Sequence, residues 1–221
     1  MLYTGIKNIK DAAMRQRTIE NLIVLRAQLD KEIPCKTADR SLLLATWNIR
    51  AFGKDSRTKE SLYYIAEILS RFDLVAIQEV KGQREELEKV VAILGKNWDY
   101  IATDVTGGHA GNGEAIAFLY DTNKVSFKNM AGEIVLPKEN KTLEGLQFAR
   151  TPFCVSFQAG WFKFNIATVH IYYGDGKEGL ERREKEIKTL SQYLSKRAND
   201  EKNNYVILGD FNIPDVDDNF M

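Results

Sequence analysis

Apolar runs of four to six residues, far too short to cross a membrane, punctuate this chain, and segments of helical periodicity separate them. Leu42-Leu43-Leu44-Ala45-Thr46-Trp47, Leu74-Val75-Ala76-Ile77 and Tyr205-Val206-Ile207-Leu208 read as buried strands. Further strands are expected over 99–102, 115–120, 133–136, 153–158 and 162–169. Between them, Leu62, Ile65, Ala66, Leu69 and Phe72 recur at spacings of three and four, as do Leu87, Val90, Val91 and Leu94 before Gly95, and Leu180, Ile187, Leu190 and Leu194. These are the inward stripes of three helices, and Gly95 suits the close of the second. Alternating helices and strands with a strand-rich middle predict an α/β layered domain built on mixed sheets.

Residues 1–40 follow a different pattern. Ile9, Ala12, Ala13, Gln16, Ile19, Leu22, Ile23, Arg26 and Leu29 form a helical stripe, and Pro34 drives Ile33 out of helical geometry. We read 1–40 as a helical extension that packs on the main domain and 41–221 as that domain. Lysine plus arginine number 31 and aspartate plus glutamate number 31, so a binder that relies on a basic surface is excluded. A membrane helix needs about 18 consecutive apolar residues, and no such run exists. The start, MLYTGIKNIK, lacks the apolar core of a signal peptide, and Cys35 and Cys154 form no CxxC pair. The expectation is a cytoplasmic protein without membrane association; its oligomeric state is left open.

The chemistry collects at the ends of the apolar runs. Asn48 follows the first and Gln78-Glu79 the second; His170 follows 162–169; Asp210 and Asn212 follow the last. Taken singly, each has a structural explanation: a turn for Asn48, a surface strand end for Glu79, an Asx turn for Asp210 and Asn212, a satisfied core imidazole for His170. Their coincidence at equivalent strand ends, the edge where α/β sheets bind ligands, argues for a site. Glu79, Asp210 and the amides of Asn48 and Asn212 are hard oxygen donors that suit Mg²⁺ or Mn²⁺. The loop Thr106–Gly113 is glycine-rich enough to approach a phosphate or simply to be a surface loop. Glu181-Arg182-Arg183-Glu184-Lys185-Glu186 mixes both signs and reads as a solvated helix face.

Five segments in order carry a family resemblance: Trp47-Asn48-Ile49-Arg50, Ile77-Gln78-Glu79-Val80, Glu114 after the glycine-rich loop, Thr168-Val169-His170, and Leu208-Gly209-Asp210-Phe211-Asn212. Over about residues 41–215 the chain resembles the endonuclease/exonuclease/phosphatase superfamily, and in Asn48–Gly53 and Gln78–Lys81 its deoxyribonuclease I-like branch. The resemblance implies a four-layer sandwich of two mixed β-sheets flanked by helices, and a Mg²⁺-dependent phosphodiesterase, foremost a nuclease acting on DNA or RNA. It implies Glu79 and Asn48 as metal ligands and Asp210 and Asn212 as the pair that positions water, phosphate and metal. His170 would stand at the scissile phosphate, with Glu114 fixing its tautomer. Arg50, Lys81, Arg150 and Tyr172 would contact substrate. The same motifs serve phosphatases and inositol-phosphate or phospholipid phosphodiesterases.

The superfamily closes with further strands and a Ser-Asp-His element. No Ser-Asp-His occurs in the 221 residues, whose histidines are His109 and His170. The expectation is a fragment or truncation with about two thirds of the domain, poorly stable or paired with another segment, and in the limit an inactive domain.

Overall fold

The computed structural model describes residues 1–104, 113–137 and 147–213. The glycine-rich loop singled out above, apart from Gly113, and His109 with it, lie outside the described residues. The chain folds into four layers. One sheet has the order β1-β2-β4-β3, from β1 (Leu44–Phe52), β2 (Leu74–Val80), β3 (Trp98–Ala102) and β4 (Ala115–Asp121). The other has the order β5-β6-β7-β8, from β5 (Val125–Glu133), β6 (Phe153–Ala159), β7 (Phe162–His170) and β8 (Asn204–Asp210). β1 runs parallel to β2 and β8 parallel to β7; the remaining pairs are antiparallel. Both sheets are therefore mixed, as expected.

The period-two alternation of β2 builds two cores at once. Leu74 and Ala76 face the second sheet and join Phe118, Phe153, Val155, Phe157, Phe164 and Ile166. Val75 and Ile77 face outward, where α2 (Lys59–Leu69) and α3 (Glu85–Leu94) cover them with Leu62, Ala66, Leu69, Leu87 and Val90. On the far side α4 (Gly176–Glu201) lays Leu190 and Leu194 over Ala167 and Val169. Phe157 is the hub of the inter-sheet core: its ring lies 5.2 Å from Tyr120, 5.8 Å from Phe118 and 6.3 Å from both Phe127 and Phe164.

Several expectations need correction. The strand expected over 133–136 is instead β5, ending at Glu133; its outward, largely exposed side chains carry no alternation, and a register shift between Phe127 and Ala131 breaks its ladder. β1 and β8 were expected to be buried strands. They are the edges of their sheets, and most of their residues are only half-buried. α1 (Ala12–Glu32) does pack on the main domain, but through Thr18, Leu22 and Leu29 rather than the full stripe; Ile19 and Ile23 are exposed. Leu22 meets Ile6, Ile9 and Tyr63, and Arg17 reaches Glu60 on α2 at 2.8 Å through Nε. The charged stretch on α4 is not uniformly solvated: Arg183 and Glu186 are buried. No helix among the described residues is long and apolar enough to cross a membrane.

Replacing the fully buried Phe157 leaves a large cavity where five aromatic rings meet. Phe157→Ala should lower unfolding free energy by about 3–5 kcal/mol, measured by urea denaturation.

Candidate active site

β1 and β8, the edge strands, lie side by side where the sheets meet. Each runs parallel to its neighbour, so the carboxyl ends of β1, β2, β7 and β8 converge at one end of the sandwich. Asn48 comes from β1, Glu79 from β2, and His170 and Asp210 close β7 and β8 as a register pair.

Strict alternation would point Glu79 into the helix layer, the side taken by Ile77. A kink redirects it. Glu79 has φ +59° and Ala51, across from it in β1, has φ +50°. After these residues Val80 and Phe52 return to the same core as Ile77 and Ile49, three positions earlier, so both strands shift phase together. Left-handed backbone at a residue other than glycine costs on the order of 1–3 kcal/mol and persists only where surrounding contacts hold it. Here Glu79 Oε2 accepts from Ala51 N at 2.8 Å and Oε1 from Asn48 Nδ2 at 2.9 Å. The same Asn48 Nδ2 donates to Asp210 Oδ2 at 2.8 Å, joining the two sheets. One residue earlier, buried Gln78 Nε2 donates to Thr46 Oγ1 at 3.0 Å and to Thr168 Oγ1 at 2.8 Å, a second tie between the sheets.

Glu114 stands just before β4 and is buried. Its Oε2 accepts from Arg150 Nε at 3.0 Å and pairs with His170 Nδ1 at 3.1 Å; Oε1 takes Lys81 Nζ at 3.2 Å. Burial works against ionisation, but the His170 hydrogen bond and the charges of Arg150, His170 and Lys81 outweigh it and hold the carboxyl at about 2. An ionised Glu114 is acceptor-only, so Nδ1 of His170 carries a proton and Nε2 is turned to Asp210 Oδ2, 3.8 Å away.

Asp210 reaches this point because residue 209 is glycine. Gly209 has φ +147°, and a Cβ there would sit 2.2 Å from Val169 O and 2.6 Å from Val169 N. Beyond it, Asn212 N donates to Asp210 Oδ1 at 2.9 Å, and Asn212 Nδ2 donates to Ile171 O at 2.6 Å. The Asn212 amide nitrogen thus clamps the backbone just after His170.

The structure brings together Asn48, Glu79, Glu114, His170 and Asp210, with Lys81, Arg150 and Asn212 bonded to members of that cluster. It does not bring in Arg50, whose side chain is exposed and has no hydrogen bond to the cluster among the described residues. Tyr172 is also turned to other work: its ring lies under the Arg182 guanidinium at 4.0 Å. Sequence reasoning missed the Gln78–Thr168 tie and the buried pair Arg183 and Glu186. A glutamine just before the strand-end glutamate was a signal for the first; nothing in the mixed charge run signalled the second.

Among the described residues of the site, two donor sets could hold a cation. Ligand atoms of Glu79, Glu114 and His170 lie within 4.8 Å of one another. Yet both Glu114 oxygens already face cationic or N–H donors, and a divalent ion would meet repulsion from Lys81 and Arg150. The second set is Glu79, Asp210 and Asn48. Asn48 Oδ1 is buried and has no hydrogen-bond partner among the described residues. An orphaned amide oxygen beside two carboxylates fits an oxygen-ligated ion such as Mg²⁺ or Mn²⁺.

Fold and site together define a two-sheet α/β sandwich with an acidic, oxygen-rich cleft at its strand ends. The sequence profile of the Endonuclease/Exonuclease/phosphatase family matches residues 45–220, and the chain belongs to that family, in its deoxyribonuclease I-like branch. It is 30% identical over 184 residues to a deoxyribonuclease of Thioalkalivibrio sp. (strain K90mix), covering 78% of this chain and 46% of that protein. To deoxyribonuclease-1 of Bos taurus it is 29% identical over 187 residues, covering 78% of this chain and 61% of that protein. The chain thus spans about half to three fifths of these relatives' lengths. The fold is similar to the human Nocturnin catalytic domain (TM-score 0.57, 20% identity, 78% of this chain and 65% of that one). It is also similar to a Bacteroides thetaiotaomicron mannosyl-6-phosphatase (TM-score 0.57, 18% identity, 81% and 68%).

The Glu114 carboxyl, lowered from 4.5 to about 2 in the folded chain, stabilises the fold above pH 4.5, and that contribution disappears as pH falls towards 2. Glu114→Gln should lose about 3 kcal/mol at neutral pH, and urea unfolding curves of variant and wild type should converge as pH approaches 2. Gly209→Ala should displace the end of β8 from β7; we expect a lower melting temperature, and hydrogen exchange should localise the loosening to 208–212.

Proposed function

We propose that the domain hydrolyses phosphodiester bonds in nucleic acid, DNA or RNA, as a metal-dependent nuclease. The observation that carries this is the Asn48–Glu79–Asp210 oxygen cluster set beside an imidazole whose far nitrogen is fixed by a buried carboxylate. The names of the two relatives above, both deoxyribonucleases, support nucleic acid as the substrate over a phosphomonoester. Because the family match begins at residue 45, we also propose residues 1–40 as an extension to a domain spanning 41–221.

Glu79, Asp210 and Asn48 Oδ1 would hold Mg²⁺, with Mn²⁺ as a substitute. Bound there, the ion supplies Lewis-acid stabilisation of phosphoryl charge. The side chains do the rest. Asp210 is a quarter exposed, and Asn212 N fixes its Oδ1, so it is placed to orient an attacking water and take its proton. His170 Nε2, on the cleft side of the ring, is placed to donate to a phosphate oxygen while Glu114 holds Nδ1. Asn212 contributes by holding Ile171, and so the strand end that carries His170. Lys81 and Arg150 stabilise Glu114, and through it His170, in addition to any contact with phosphate.

The test is cleavage of plasmid DNA with Mg²⁺, with a phosphomonoester assayed in parallel. Glu79→Ala should cut the DNA rate by about 100-fold or more; undiminished cleavage rejects the assignment. Calorimetric Mg²⁺ binding gives a readout independent of turnover: Asp210→Ala should abolish it. Mg²⁺ binding that survives Asp210→Ala but not Glu114→Gln would move the ion to the other donor set.

A further inference from the structure

Glu114 Oε2 receives Arg150 and His170, which stand at the open end of the β6–β7 hairpin on two different segments. Arg150 lies on the segment leading into β6, whereas His170 ends β7. Both donors meet one oxygen only while the two segments keep a fixed separation. The β6–β7 ladder brings the two segments together as far as the Phe153–Thr168 pair, but 147–152 lies beyond it, outside the strands.

α4 reaches both segments. Glu186 has no exposed surface, and its carboxylate lies between the two segments. Oε1 accepts from the backbone N–H of Ala149 at 3.2 Å, next to Arg150, and Oε2 from that of Tyr172 at 3.3 Å, two residues after His170. Arg182 Nε donates to Oε1 at 3.3 Å, which partners the buried charge. The neighbouring buried Arg183 donates through Nε to Tyr172 O at 3.3 Å and through Nη2 to Gly174 O at 3.2 Å, so the strand exit is gripped at both its N–H and its carbonyl. Among the described residues no side chain of the Asn48–Glu79–Asp210 cluster bonds to Glu186, and α4 also packs on the sheet through Ile187, Leu190, Tyr193 and Leu194. A buried carboxylate is a costly way to pack a helix. Bridging two backbone N–H groups is what an apolar residue there cannot do.

We propose that Glu186 is a positioning residue: by holding Ala149 and Tyr172 it fixes the distance between Arg150 and His170, and so the geometry of the Glu114 network. Its consequence for turnover rests on the phosphodiesterase reading above; its consequence for geometry does not. Burial raises the Glu186 carboxyl above the usual carboxylate range, and the Ala149 and Tyr172 amides and Arg182 offset this only in part.

The experiment compares wild type, Glu186→Gln and, as a control, Leu190→Ala, which loosens α4 without touching the bridge. Glutamine keeps one acceptor and so serves one amide. His170 is one of two histidines, so its imidazole nitrogen signals are assigned with a His109→Gln background. We expect folded Glu186→Gln to shift the His170 Nδ1 and Nε2 signals at fixed pH and to speed hydrogen exchange at Ala149 and Tyr172 together. Leu190→Ala should lower the melting temperature and leave the His170 signals in place. Unmoved His170 signals in folded Glu186→Gln, or equal movement in Leu190→Ala, would overturn the assignment. So would rapid exchange at either amide in the wild type, a measurement that stands even if the variant does not fold. In the cleavage assay kcat should drop about 10- to 100-fold with KM little changed. An inactive wild type would reject the phosphodiesterase reading, while the imidazole signals still judge the bridge.

Discussion

The architecture of the cleft depends on one carboxamide. Asn48 has two N–H bonds to give, and gives one to each sheet: to Glu79 at the end of β2 and to Asp210 at the end of β8. Two carboxylates drawn together by strand geometry repel, and unpaired buried charge is costly. A neutral double donor between them relieves the repulsion without supplying a counter-charge, so the pair remains an electron-rich site. An arginine at position 48 would neutralise the carboxylates, and an aspartate would add a third negative charge. The amide is the side chain that joins the sheets and leaves the carboxylates available.

The backbone shows the same priorities. At Glu79 and Ala51 the two neighbouring strands break phase together, accepting left-handed conformations so that a carboxylate meant by alternation for the helix layer faces the cleft. At Gly209 the opposite solution operates: no side chain fits against Val169, so glycine lets β8 pass close to β7 and set Asp210 beside His170. One site residue is delivered by strain held in place through hydrogen bonds, the other by the absence of a side chain. Both lie at the strand ends, where an interrupted ladder costs fewest bonds.

Much of this was legible in the sequence, and the reasons differ by residue. Apolar runs ending on Glu79 and His170 announce themselves because burial on both strand faces demands continuous hydrophobicity and makes the polar terminus conspicuous, and the half-buried edge strand β8 ends on Asp210 with the same contrast. β5 was misplaced because an edge strand with exposed side chains needs no alternation. α1 carries apolar residues on more than its packing face, so periodicity gave a broader contact than Thr18, Leu22 and Leu29 make. Glu186 was hidden for a deeper reason. Its partners are backbone N–H groups of Ala149 and Tyr172, and a sequence does not display backbone donors. In the run Glu181-Arg182-Arg183-Glu184-Lys185-Glu186, which mixes both signs, the buried charge looks the same as its solvated neighbours. Glu114 was found through family resemblance, and its triple engagement required the fold.

That triple engagement bears on how a chain of zero net charge would receive a polyanion. Among the described residues Lys81 and Arg150 are the lysine and arginine bonded to the site cluster, and both pair with Glu114. Leaving His170 aside, the local balance of Glu79, Asp210, Glu114, Lys81 and Arg150 is negative, which opposes the approach of a phosphodiester. On the proposed reading, a divalent cation reverses that sign at the position where phosphate must sit, so substrate affinity and metal occupancy are linked. The cations around Glu114 then have a different task. They keep that carboxylate ionised inside the protein, and an ionised Glu114 keeps the proton on His170 Nδ1. The acidic cleft and the basic pair around buried Glu114 are thus one arrangement: the first leaves the phosphate site dependent on metal, and the second fixes the imidazole beside it.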